Sequence, residues 1–171
     1  RALLQEIPLD PEDVLGEVYN QISQEGKYPL AVRSSAADED GRALSFAGQM
    51  DSFLNVRDLP ALLTAVRGCW ASLFGDRAIA YRLEHRIDPF QTGIAVVVQR
   101  MIAADAAGVI FSAFALTGNR REMLVSSTWG LGEGLVSGQL DADTFLLDER
   151  GGVKTRELAV KPQRIVYGDH G

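Results

Sequence analysis

Cysteine is almost missing from this 171-residue chain: Cys69 stands alone, which excludes an internal disulfide framework and fits a reducing cytoplasm. It lies in an apolar helical run, where a thiol is expected to be inert core. Histidine is nearly as scarce. His85 falls at the end of a helical segment, where a cation suits the dipole, and His170 sits by the C-terminus. With neither histidine well placed and no Gly-x-Ser-x-Gly elbow, a serine hydrolase finds no support. No apolar run is long enough to cross a bilayer, and the N-terminus does not read as a signal peptide. Positive charge is also short: 17 Lys and Arg against 23 Asp and Glu give a net charge of −6 and no basic stripe, which argues against a nucleic-acid partner. Repeats and low-complexity tracts are absent.

What is present is ordinary for a soluble globular protein, with 46% hydrophobic and 23% charged residues. The length suffices to bury a core and to make one domain, or a large piece of one. The first residue is Arg1 rather than methionine, as expected of a trimmed product. Residues 1–29 read as an N-terminal helix and lead-in, and residues 30–171 as the core. Asp10 is the expected N-cap of the first helix, with Pro11 at its first position and Val14, Leu15, Val18 and Ile22 on its apolar face. The spacing of Leu62, Leu63, Val66, Cys69, Trp70 and Leu73 predicts a helix over 59–74, and a second is expected from Asp76 to His85. Trp70 and Tyr81 read as core. Strands are expected at Pro29–Val32, Phe53–Val56, Ala95–Val98, Ala107–Ser112 and Met123–Ser127, with a hairpin around Asp148–Gly152. This alternation predicts α+β organisation rather than a regular βαβ array.

The most informative stretch is Ala31-Val32-Arg33-Ser34-Ser35-Ala36, followed by Asp38-Glu39-Asp40 and then Ser45-Phe46-Ala47-Gly48-Gln49. A strand delivers an arginine and two serines at its end, and a loop of small and acidic residues follows. Arginine is permanently charged and presents a planar fork of donors suited to phosphate oxygens. Ser34, Ser35 and Ser45 add hydroxyls, and Gly48 lets backbone N–H groups come near a ligand. The chemistry is that of an anion-binding loop, with phosphate as the expected anion. A surface loop in which Arg33 pairs with Glu39 or Asp40 stays open as the alternative.

Other segments carry weaker signals. The strand ending in Gln99-Arg100-Met101 can offer backbone donors and acceptors to a base edge, with Met101 packing on the ring. Trp129-Gly130-Leu131-Gly132-Glu133-Gly134 permits close backbone approach to a ligand, yet it is neither a P-loop, since no lysine follows, nor a Rossmann fingerprint. Lys161, one of only three lysines, follows a strand. That position invites a phosphate role, although a solvated lysine is the favoured expectation.

Taken in order, these phrases resemble the nucleotide-binding domain of the phosphoenolpyruvate synthase and pyruvate phosphate dikinase family, which is similar to that of rifampin phosphotransferase. The resemblance runs from about Leu30 to Tyr167. It rests on Arg33-Ser34-Ser35, Ser45 to Gln49 leading into Phe53-Leu54-Asn55-Val56, Gln99-Arg100-Met101, and Trp129 to Glu133. Cys69 to Phe74 and Arg77 to Arg82 match the family's helical insert. The resemblance implies an ATP-grasp fold, with Mg-ATP in a cleft between two α+β lobes. It implies transfer of a phosphoryl group to a histidine on a separate swivelling domain, then to pyruvate or a related acceptor on a further domain, or to an antibiotic. Arg33 would then be the phosphate clamp and the catalytic residue. Ser34, Ser45, Gly48, Gln49 and Ser52 would cover the phosphates, Gln99, Arg100 and Met101 would hold adenine, and Glu133 would be a further nucleotide contact. No metal ligand is assigned, since the family's acidic ligand and Gln-Ser-Arg-Pro motif lie downstream, and its glycine-flanked lysine upstream. The domain is thus expected to be incomplete at both ends and inactive alone.

The chain departs from the family pattern at four positions. Ala37 replaces a usual threonine, Phe114 and Ala115 stand where Asp-Pro is common, and Ser126 stands where an acid is common. These departures support a second expectation: a non-catalytic module that retains the fold for weak nucleotide binding or protein interaction.

Overall fold

Every residue of β1 (Leu30–Ala36) pairs with β3 (Ile94–Arg100), and β2 (Ser52–Val56) pairs on its other side, giving a three-stranded antiparallel sheet ordered β2-β1-β3. The computed structural model describes residues 12–36, 51–85, 88, 93–114 and 118–168. These divide between two compact units, one reaching to Met101 and the other running from Ile102 to Gly168.

In the first unit, side chains along β1 alternate between faces. Leu30 and Val32 point to one side and are completely buried. They join Tyr19, Val56, Leu62, Leu63, Ala65, Val66 and Cys69 in the core. Tyr19 belongs to α1 (Glu12–Ser23), and the last five residues to α2 (Leu59–Ser72), so both helices cover the same face. The predicted apolar spacing of α2 is the face it buries. Its start is set by Asp58, whose extended backbone and side chain cap the helix by accepting from the Ala61 N–H at 2.7 Å, with Pro60 in the first turn. Full burial of Leu62 contributes about 2 kcal/mol on transfer grounds. Close contact between α2 and β2 needs a glycine: a Cβ added at Gly68 would stand 2.3 Å from the Phe53 ring.

Cys69 is core, as expected. Burial pushes its thiol up to about 11, with the Asp51 charge adding to the effect, so it stays protonated and unreactive. Trp70 packs against the same cluster.

α3 (Asp76–Glu84) follows α2 after a short turn and ends at His85, whose ring stacks on Tyr81 at 4.2 Å. The family phrase Arg77 to Arg82 gains a physical account from its last residue. Arg82 is fully buried, donating from Nε to the Ala78 carbonyl at 3.1 Å and from Nη2 to the Leu73 carbonyl. Leu73 is the C-cap of α2, so a guanidinium satisfies a carbonyl left without an intrahelical donor and places positive charge at the negative helix end.

The second unit is a four-stranded antiparallel meander, β4-β5-β6-β7, over Ala106–Phe111, Glu122–Trp129, Asp143–Asp148 and Val153–Glu157, with the short α4 at Glu133–Val136. The predicted β6–β7 hairpin is present. Asp148 closes it by accepting from the N–H groups of Arg150 and Gly152, each at 2.8 Å. The architecture is therefore mixed α and β with two antiparallel sheets. Among the described residues, no helix is long and apolar enough to cross a membrane.

Replacing Arg82 with leucine leaves the Leu73 carbonyl buried without its donor. The variant should lose about 1–3 kcal/mol in urea unfolding, and Arg82→Lys should recover only part of that, because one ammonium cannot reproduce the fork.

Candidate functional site

The face of the first sheet opposite α1 and α2 carries the charged part of the family phrase. Arg33 is directly opposite Ser52 on β2 and Val97 on β3, and Gln99 lies two residues from Val97 on the same face. Arg33, Ser52, Val97 and Gln99 are all exposed. The pleat therefore brings together a guanidinium, a hydroxyl and an amide around an apolar Val97, which is 44% exposed. Such a row can grip an oxyanion at one end and a polar edge at the other.

The same pleat separates Ser34 from Arg33. Ser34 faces the helices, and its hydroxyl donates to the Asp51 carbonyl at 3.3 Å. Ser45, Gly48 and Gln49, with Ala37, lie outside the described residues, as do Ala115, Asp10, Pro11 and His170.

At the end of β3 the side chains and the backbone part company. The Arg100 guanidinium lies 4.6 Å from the Tyr28 ring centroid, a cation–π contact. Met101 is buried, and its Sδ accepts from the Asn55 N–H at 3.0 Å. The Met101 N–H donates to the Pro29 carbonyl at 2.8 Å. In an antiparallel ladder the inward pairs alternate, so Gln99 directs its backbone groups at Ala31, and Arg100 directs its own to the outer side of β3. Among the described residues no strand pairs on that side. The segment thus presents an N–H and a C=O from Arg100, together with the Gln99 side chain.

Glu133 belongs to the second unit, exposed at the first position of α4 after Gly132. The glycines before it serve the chain's own packing. Gly130 has φ +79°, and a Cβ there would stand 2.2 Å from the Ile165 carbonyl oxygen. The neighbouring Leu131 N–H donates to that oxygen at 2.8 Å. The close approach expected of this loop is therefore made by the Ile165 backbone.

Lys161 corrects the expectation of a solvated lysine. Its side chain is only 9% exposed, it pairs with Asp143, and it donates to the Ala159 carbonyl at 3.1 Å. Its ammonium lies 6.0 Å from the Trp129 ring centroid. The alkyl stem is buried because β6, the segment after β7 and the end of β5 present a carboxylate, a carbonyl and an aromatic face together, replacing the water the ammonium would lose. Of the departing residues, Phe114 forms a bridge with Asn119, donating its N–H to the Asn119 carbonyl at 3.0 Å, and Ser126 lies inside β5 opposite Val109 and Thr144.

Two residues with structural consequences were not singled out by sequence reasoning. Asp143 carries no motif, and only its partner's scarcity hinted at the pair. Asn55, a polar residue inside the apolar Phe53–Val56 run, has the left-handed backbone that asparagine tolerates.

Residues 2–171 match the family described as the pyruvate phosphate dikinase AMP/ATP-binding domain. The chain belongs to this family. It is 41% identical over 169 residues to a rifampicin phosphotransferase of Bacillus subtilis, covering 98% of this chain and 19% of that protein. It is 45% identical over 165 residues to a probable phosphoenolpyruvate synthase of Methanothermobacter thermautotrophicus, covering 95% and 24% respectively. With a prodigiosin synthesizing transferase of Serratia marcescens it shares 48% identity over 134 residues, 78% of this chain and 15% of the relative. The chain thus spans less than a quarter of these relatives' length.

Asp143 is held below the ordinary aspartate value of 3.8 by the hydrogen bond from Lys161 and then by the Ala159 N–H. A lowered carboxylate value stabilises the fold above the unfolded value, and that contribution disappears as pH falls through the folded one. Asp143→Asn should therefore lower the urea midpoint at pH 7, and the difference from wild type should shrink as pH falls below the ordinary aspartate value, when both are followed by intrinsic Trp fluorescence.

Proposed function

We propose that this chain is the nucleotide-binding portion of a larger ATP-dependent phosphotransferase, built on the ATP-grasp plan, with residues 30–171 as its core and residues 1–29 leading in. The observation that carries the reading is the cross-strand alignment of Arg33 and Ser52 on the open face of the first sheet, in a chain of this family. On this reading, Arg33 clamps phosphate oxygens and Ser52 donates beside it, with Ser45, Gly48 and Gln49 as the covering loop. Gln99 and the Arg100 backbone meet the adenine edge, and Met101 supports the segment from beneath. Ser34 acts indirectly by holding the Asp51 carbonyl, and Glu133 is assigned as a further nucleotide contact.

Phosphoryl transfer asks little covalent chemistry of the protein. It needs the γ-phosphate positioned and its charge neutralised. Among the described residues no group of three or more His, Cys, Asp or Glu side chains is placed to hold a metal. Mg²⁺ is taken here as part of the Mg-ATP substrate. The phosphoryl group would pass to a histidine on a swivelling domain of the longer protein, and then to an acceptor. The relatives' names differ in product while this domain is shared, which supports locating acceptor choice, whether pyruvate or an antibiotic, outside this chain. A cytoplasmic setting agrees with the single buried thiol.

The test is calorimetric titration of the full-length protein with Mg-ATP, with phosphoryl transfer to histidine followed by radiolabel. Wild type should bind, and Arg33→Ala should bind at least about tenfold more weakly, the loss expected for a charged hydrogen bond. Gln99→Ala should weaken ATP with less effect on inorganic triphosphate. Binding without any transfer by the intact protein would leave the non-catalytic module as the function.

A further inference from the structure

Asn55 has a strained backbone, and its N–H is turned to Met101. Its φ of 59° is left-handed, a conformation that costs a non-glycine residue free energy and is tolerated best by asparagine. It sits in a β-bulge: the register moves from Val32 opposite Phe53 to Leu30 opposite Val56, so Leu54 and Asn55 together face Ala31. The bulge removes the Asn55 N–H from the ladder, and that N–H donates instead to Met101 Sδ at 3.0 Å. The Asn55 side-chain oxygen accepts from Arg57 Nε at 3.0 Å, and the Arg57 carbonyl accepts from the hydroxyl of the core residue Tyr19.

Met101 is therefore held twice, by Pro29 through its own N–H and by Asn55 through its sulfur. It immediately follows Arg100, whose backbone groups face outward from β3. We infer that Asn55 is a positioning residue for nucleotide selection: its left-handed backbone seats Met101, and so fixes the direction of the Arg100 N–H and C=O. This rests on the reading of the β3 end as the adenine-binding edge. A donor and an acceptor from one fixed segment complement adenine N1 and N6. Guanine presents the opposite pair at the same places, a protonated N1 and the O6 oxygen, so a well-seated segment rejects it by leaving polar groups unpaired.

The experiment compares Asn55→Val, Asn55→Gly and Met101→Leu in the full-length protein. It measures ATP and GTP affinity by calorimetry, together with amide exchange at residue 55 without nucleotide. Valine cannot adopt the left-handed backbone without strain, so ATP should bind about tenfold more weakly and the ATP-over-GTP preference should shrink. Glycine keeps the backbone and the N–H, and should recover most of the preference. Met101→Leu keeps the volume but loses the acceptor. It should speed exchange at residue 55 and lower the preference even if the valine variant fails to fold. Equal losses with glycine and valine would trace the effect to the Arg57 contact and overturn the inference, as would wild-type selectivity in Met101→Leu. A wild-type protein that binds no ATP while residue 55 exchanges slowly would retire the adenine reading itself and leave the Asn55–Met101 contact standing.

Discussion

The first unit depends on the two-residue period of β1. Leu30 and Val32 must face α2, because among the described residues of this unit they are the completely buried strand positions that anchor that helix to the sheet's centre. Once they do, the pleat sends Arg33 to the opposite face and Ser34 back to the helix side. A slip of one residue would bury a guanidinium among Leu62, Val66 and Cys69, at a cost far greater than any single contact there contributes. Core packing thus aims the arginine. Its position opposite Ser52 follows from the same register.

That dependence explains why the family phrase is dense. Arg33, Ser34 and Ser35 read as one cluster of phosphate donors when written in a line. In three dimensions Arg33 stands exposed on the open face, while Ser34 is turned back and tied to the Asp51 carbonyl. The glycine phrase behaves similarly in the second unit, where Gly130 makes room for the Ile165 backbone. In both places a motif mixes exposed residues with residues that hold the chain in shape. Sequence alone weighs them equally.

Much of the fold was legible. The apolar period of α2, the strands flanking Arg33 and the Asp148 hairpin are all local, and local physics determines them. What escaped was non-local. Nothing in Lys161's neighbours in sequence announces Asp143, because the contact depends on how the segment after β7 runs beside β6. Arg82 looked like one half of a helical phrase until its Nη2 met the Leu73 carbonyl. The open-face trio of Arg33, Ser52 and Gln99 was named residue by residue, but only register could show that three strands align it.

Asn55 illustrates the deeper limit. A polar residue in an apolar strand is usually read as a solvent-facing position, and its side chain gives no hint of a bulge two strands away from the segment it serves. The bulge exists because the ladder between β1 and β2 cannot stay in phase while Val56 and Phe53 both reach the helix face. One residue must be taken up, and the residue that tolerates the left-handed backbone is the one placed there. The N–H released by that mismatch needs a partner, and the Met101 sulfur supplies it. A requirement of the core has thereby become a handle on the end of β3, so the packing of β2 and the seating of Met101 share a single constraint.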